Sequence, residues 1–145
     1  MITKLSDQLR KEFPEVLIVD RLNEDSSFSL FGFEITNGWY GILHHAFSQM
    51  QLRIKDHQAI VRVRQVKEKY GTLRLYIQTN DNECNRIADQ AEDKSETACE
   101  ICGAKGELNS SGWWQVRCES HFEVGNIEMS EAQINALIAQ LTFKH

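Results

Sequence analysis

The chain reads as an α+β domain in which amphipathic helices pack on a small antiparallel sheet or hairpin, with a zinc-ribbon-like insertion before a C-terminal helix. Three observations predict this. Apolar residues recur in steps of three and four from Trp39 to Ile54, the period of one helical face. Apolar and β-branched residues alternate over 59–79 around Gly71, the pattern of a hairpin. Two ligand-type pairs, Cys99-x2-Cys102 and Cys118-x2-His121, are separated by fifteen residues, a spacing that suits one tetrahedral metal ion.

The first predicted element is a short helix, with Ile2, Leu5, Leu9 and Phe13 on one face and Pro14 ending the run. Val16 to Val19 then reads as a short strand, 20–27 as a polar loop, and the aromatic-rich Phe28 to Ile35 as a second strand. The strongest helix follows. It carries Trp39, Ile42, Leu43, Ala46, Phe47, Met50 and Ile54 on its apolar face, is capped by Thr36 or Asn37, and ends near Asp56. In the hairpin the apolar phase slips between Val63 and Val66, which predicts a bulge, and Gly71 occupies the turn. Asp81 opens another amphipathic helix whose inner face is Cys84, Ile87, Ala88, Ala91 and Ser95. The last helix starts at Ser130, where Ser130 and Gln133 form a capping box, and buries Ile134, Leu137, Ile138 and Leu141. We take residues 1–145 as one domain and 97–123 as a zinc-ribbon-like subdomain within it.

Composition bounds the function. Of 145 residues, 41% are hydrophobic and 26% charged, an ordinary globular balance. The amino-terminal MITKLSDQLRKEF has no apolar run of signal-peptide length, and no stretch reaches the roughly 20 apolar residues a membrane helix needs. The expected compartment is the cytoplasm, where four cysteines point to metal ligands rather than disulfides. The formal net charge of −5 argues against a nucleic-acid binder of the kind that neutralises phosphates over its whole surface. Charge is uneven, however. Residues 53–74 hold seven Lys/Arg against two Asp/Glu, whereas 81–131 hold four against twelve.

The cysteine segment carries the most specific chemistry. Two cysteines separated by two residues wrap a tight turn around one ion, and Gly103 directly follows Cys102, where such a turn calls for positive φ. The chain then crosses a hairpin, Glu107–Asn109 out and Trp113–Arg117 back, and delivers Cys118 and His121 beside the first pair. Cys99, Cys102, Cys118 and His121 are therefore the expected ligands of one structural Zn2+. Cys84 is the alternative to His121. Four protein ligands leave no position for water or substrate, so the role of such an ion is folding.

Catalytic signatures do not emerge: the sequence has no G-x-S-x-G, no glycine-rich phosphate loop and no H-E-x-x-H. The adjacent His44 and His45 read as a half-buried or solvent-facing pair. Asp89, Glu92, Asp93 and Glu96 crowd one helical face, too many to be a tuned acid–base pair, and read as a solvated or recognition surface. Trp113 and Trp114 are expected to point to opposite sides of their strand, one packed and one exposed as an interface anchor.

Gly38-Trp39-Tyr40, the run Val66-Lys67-Glu68-Lys69-Tyr70-Gly71-Thr72-Leu73-Arg74, Ala91-Glu92 with Ser95, Cys99-Glu100-x-Cys102-Gly103 and a Trp before Cys118 together resemble a family of small, largely uncharacterised bacterial and phage-encoded proteins. The similarity spans roughly 37–121. It implies a compact zinc-containing domain and brings no enzymatic activity; its fourth ligand is often Cys, where this chain has His121. Functionally we expect a non-enzymatic protein-binding module, in particular an immunity or inhibitor protein that occludes a toxin or other basic enzyme through Asp89, Glu92, Asp93, Glu96, Trp113 and Trp114. Complementary charge would speed the encounter and an aromatic anchor would slow release. The alternative is a zinc-ribbon adaptor that binds nucleic acid through the basic hairpin 60–74. An enzyme built around His44, His45 and that hairpin is the third reading.

Overall fold

A computed structural model describes residues 1–18, 26–122 and 130–142. The elements run α1 (Thr3–Glu12), α2 (Ser27–Phe31), β1 (Phe33–Glu34), a 3-10 turn (Asn37–Trp39), α3 (Tyr40–His57), β2 (Val61–Lys69), β3 (Thr72–Thr79), α4 (Asn82–Ser95), β4 (Glu107–Asn109), β5 (Gln115–Arg117), a 3-10 turn (Glu119–His121) and α5 (Glu131–Thr142). This is the α+β architecture the periodicities predict. None of the described helices is long and apolar enough to cross a membrane.

Helix α3 forms the centre because its apolar stripe is continuous. Trp39 at its entrance, then Tyr40, Leu43, Phe47 and Met50, are almost fully buried, and each such side chain contributes about 1.5–3 kcal/mol. Neither predicted cap acts as one. Asn37 Oδ1 instead accepts the Ile2 amide at 2.9 Å, and the Thr36 hydroxyl donates to the Glu100 carbonyl. Gln58 in the left-handed region ends the helix.

Strands β2 and β3 form the predicted hairpin. Tyr70 and Gly71 both have positive φ, 53° and 81°, as a two-residue turn matched to strand twist requires. The register shifts between Val63 and Gln65, so the bulge lies where the apolar phase slips. Val61, Val63, Val66, Leu73 and Leu75 face the core. Strand β1 adds to β2 in parallel, pairing Phe33 with Val66, so the sheet is mixed rather than wholly antiparallel. Helix α4 closes the free edge of β3: the Leu73 amide donates to Ser95 Oγ and the Leu75 amide to Glu92 Oε1, both at 2.9 Å. An edge strand left bare would be a pairing hazard. The inner face of α4 is Cys84, Ile87, Ala88, Ala91 and Ser95, and Asp81 caps it by accepting the Glu83 amide.

One predicted strand is a turn, and another shrinks to two residues. The described part of 16–19 is a turn in which the Phe13 carbonyl accepts both the Val16 and Leu17 amides; Val16 and Leu17 are both buried, which a two-faced strand does not allow. Val19, like residues 20–25 of the expected loop, lies outside the described residues. Within 28–35, Ser26 Oγ accepts the Ser29 amide and starts the five-residue α2, Gly32 ends it, and only Phe33–Glu34 is extended. The His44–His45 expectation also changes. His45 is exposed, but His44 is buried on the α3 core face, where its Nε2 meets the Glu12 carboxylate and ties α1 to α3. The Ser130–Gln133 capping box forms in both directions. Of the predicted α5 stripe Ile134 is buried, while Leu137, Ile138 and Leu141 are partly buried against the core.

Candidate metal centre

Each ligand pair rides on a tight turn that the sequence builds locally. In the first, the Cys99 amide donates to the Ala104 carbonyl at 2.7 Å and the Gly103 amide returns to the Cys99 carbonyl at 2.8 Å. Gly103 has the expected positive φ, 79°. In the second, Cys118 precedes the 3-10 turn and the His121 amide donates to the Cys118 carbonyl at 3.0 Å. The β4–β5 ladder, Glu107 opposite Arg117 and Asn109 opposite Gln115, brings the second turn beside the first.

The result is a cluster of Cys99, Cys102, Cys118 and His121 whose ligand atoms all lie within 4.8 Å of one another. Cys102 Sγ to Cys118 Sγ is 3.7 Å, Cys99 Sγ to His121 Nδ1 is 3.6 Å, and Cys118 Sγ to His121 Nδ1 is 3.2 Å. A tetrahedron with a metal–sulfur bond of about 2.3 Å has sulfur–sulfur edges of about 3.8 Å. The spacing is compatible with a metal ion and far from a disulfide, which needs about 2.05 Å. Cys84 is elsewhere: fully buried in the main core, its thiol faces the Asp81 carboxylate. Of the two candidates for the fourth position, His121 is the one in the cluster.

Electrostatics inside the cluster are asymmetric. Burial pushes the Cys99 thiol up, but amides of Cys118, Cys102 and Ile101 together with His121 outweigh it and bring the thiol to about 6. Burial pushes Cys102 up to about 11, and the neighbouring sulfurs of Cys118 and Cys99 add to the rise. Crowded thiolates of this kind are stabilised together by a central cation.

A buried ion pair braces the two turns. Arg117 and Glu100 are both almost inaccessible, and Arg117 Nε donates to Glu100 Oε1 at 2.9 Å. Arg117 Nη1 also reaches the His121 carbonyl at 3.4 Å. Burial raises the Glu100 carboxyl and Arg117 opposes that rise. This pair was not foreseen; the available signal was a charged residue inside the first Cys pair and another directly before Cys118.

The cluster docks on the entrance of α3. The Gly38 amide donates to the Glu100 carbonyl at 2.8 Å, and the Trp39 indole Nε1 to the Ala98 carbonyl at 3.0 Å. A Cβ on Gly38 would collide with the Cys99 carbonyl and the Glu100 backbone. On the other side Gly71, at the hairpin tip, packs on Leu108 and on the 114–115 backbone, and Tyr70 meets the Trp114 ring edge-on at 6.0 Å. The scattered pieces Gly38-Trp39, Tyr70-Gly71 and Cys99-Glu100 are thus parts of one docking arrangement.

The residues expected to face a partner divide into three groups. Asp89, Asp93 and Glu96 are exposed on or just past α4. Glu92 turns onto the sheet, holding the Leu75 amide and lying 3.8 Å from Arg74. Trp113 and Trp114 precede β5 rather than lying within it, so strand alternation does not apply and neither ring is core; Trp113 is 76% exposed and Trp114 45%. Val116 takes the buried position instead. Both Trp residues border an open groove between the β2–β3 tip and the β4–β5 hairpin, lined also by Lys67, Lys69, Tyr70 and Arg74 and by the acids Glu68 and Glu96. The chain matches no family model, no curated protein and no solved structure.

Proposed function

We propose that the protein is a zinc-stabilised, non-enzymatic binding module of the cytoplasm, and that the groove beside Trp113 and Trp114 is its recognition surface. One observation carries this reading: the hairpin that bears the exposed Trp residues has a ligand pair at each end, and the four ligand atoms lie within 4.8 Å of one another, a spacing compatible with one metal ion. Three sulfurs and one imidazole nitrogen are the donor set zinc favours in structural sites. A closed set of four protein ligands leaves the ion nothing to activate, so its work is to hold the groove wall in place. The purified protein is expected to contain one zinc per chain. Chelation is expected to change Trp fluorescence and to abolish capture of whatever the groove holds. A protein that purifies without metal and keeps an unchanged fold would overturn the reading.

The exposed acidic side of α4 favours a second reading, an immunity or inhibitor protein for a toxin or other basic enzyme. Asp89, Asp93 and Glu96 are all exposed there and outnumber the exposed Arg86 and Lys94 beside them. Charge reversal at Asp89 and Asp93 would slow association with such an enzyme while leaving zinc content intact; unchanged association rates would remove this reading.

A further inference from the structure

We propose that the groove takes single-stranded nucleic acid, threaded along the hairpin with its phosphates on Lys67, Lys69 and Arg74 and its bases on Tyr70, Trp113 and Trp114. This rests on the binding-module reading and names its occupant.

The argument begins with strand register. Val66 pairs with Leu75 on the core face, so the next pair, Lys67 with Arg74, faces outward, as does Lys69 with Thr72. Three cations are therefore presented on one face by alternation alone. Lys67 and Lys69 are about 6.7 Å apart along β2, a step that a flexible sugar–phosphate backbone can follow. The same groove holds three accessible aromatic rings, with Tyr70 64% exposed. Binding of single strands without strong sequence preference combines these two elements, a cationic track and stacking platforms. A duplex keeps its bases stacked internally and offers the rings nothing. A proline-rich peptide would use the rings but not the row of cations.

The acids nearby have other duties or limit the site. Glu68 Oε1 accepts the Gly71 amide at 2.6 Å and shapes the turn. Glu92 steadies Arg74. Glu96 also lines the groove, and the three cations of the track limit the phosphate contacts to about three. That confinement makes the salt dependence a quantitative test, since each neutralised phosphate of a single strand contributes about −0.7 to the slope of log affinity against log salt.

The experiment is fluorescence anisotropy of the zinc-loaded full chain with labelled oligo-dT and oligo-U of about 12 nucleotides, and with a duplex of equal length. The expected result is single-strand binding at low salt with a slope near −2, and weaker duplex binding. Trp113→Ala and Trp114→Ala should each weaken binding roughly tenfold without changing zinc content. Lys67→Gln and Lys69→Gln should each flatten the slope by about 0.7. Preference for oligo-U over oligo-dT would assign RNA as the ligand, and the reverse DNA. The proposal is overturned if the zinc-loaded protein leaves both single strands free at low salt, binds duplex equally well, or binds a proline-rich peptide through Trp113 and Trp114 instead. In each case the binding-module reading stands as long as zinc is present and its removal disturbs the groove; a zinc-free folded protein sinks both.

Discussion

The two halves of the molecule are held together by different physics. Around α3, β2, β3 and α4, the core is a continuous set of large apolar side chains from Leu5 to Ile134. Around the β4–β5 hairpin the buried cluster is Cys99, Ile101 and Cys118, and among the described residues there Ile101 and the buried Val116 of β5 are the sizeable hydrocarbons. Each contributes about 1.5–3 kcal/mol on burial, together too little to order the surrounding backbone, which costs about 1–2 kcal/mol per residue. A structural zinc ion contributes about 10–16 kcal/mol in small zinc-binding peptides. A hairpin with almost no core can hold a fixed shape if the ion replaces the core, and its outward side chains are then free to be aromatic and exposed.

The largest expected effect tests that contrast directly. Cys118→Ser should lose zinc and melt the 97–122 region, seen as lost amide-exchange protection there, while α3, the β2–β3 hairpin and α4 keep a cooperative thermal transition. If the whole chain unfolds together, the two regions are not separately stabilised. If 97–122 keeps its protection without metal, the ion is not what holds it.

Next in size is the buried pair behind the ligands. Arg117→Met leaves the inaccessible Glu100 without its guanidinium, and removing one partner of a buried pair costs about 3–5 kcal/mol. The loss should fall on the metal region, read as easier release of zinc to a chelator. Adding Glu100→Gln should recover part of it, because the buried charge goes too. No recovery would mean that Arg117 acts mainly through the His121 carbonyl.

Gly38→Ala probes the seam between the halves. The new Cβ meets backbone at Cys99 and Glu100, which cannot swing aside as a side chain would. Overpacking of this kind costs about 1–3 kcal/mol. We expect the core transition to shift modestly and the metal region to detach from α3, reported by the Trp39 indole losing its bond to Ala98. Unchanged protection of the Gly38 amide and of the Trp39 indole N–H would show that the seam adjusts.

The same contrast explains what could be read from the sequence. Helices α3 and α4, the hairpin with its bulge, and the ligand set were legible because each rests on local periodicity or local spacing. The α4 inner face matched residue for residue, from Cys84 to Ser95. The 28–35 segment was not legible, because its outcome depends on a hydroxyl cap at Ser26 and on long-range parallel pairing of Phe33 with Val66. Leu30 and Phe31 look like strand or core residues yet stand exposed. Trp113 and Trp114 were misplaced for a related reason: β5 begins two residues later than expected, at Gln115, so the alternation rule had no strand to act on. The acidic count over 81–131 pointed to the Trp pair as part of an acidic surface, whereas folding sets them across from Lys67 and Lys69 of another segment.

The smallest expected effect belongs to the core half alone. Asp81 caps α4 and forms an ion pair with Arg53 of α3, Nε to Oδ2 at 2.7 Å, and Arg53 holds the Asp81 carboxyl below its usual range. A depressed carboxyl contributes stability that is present above its unfolded-state value, near pH 4, and is lost as pH falls through the lower folded-state value. Acid also protonates thiols that would hold a metal, so the core term must be isolated by difference. Asp81→Asn keeps a capable N-cap residue but has no charge to titrate. The variant should melt slightly below the parent at neutral pH, and the gap should close as the medium is acidified below about pH 4. Both proteins carry the same metal region, whose acid sensitivity cancels in the comparison. A gap that persists unchanged at low pH would mean that Asp81 stabilises α4 through shape and hydrogen bonding alone, and that the Arg53 charge contributes nothing across the α3–α4 seam.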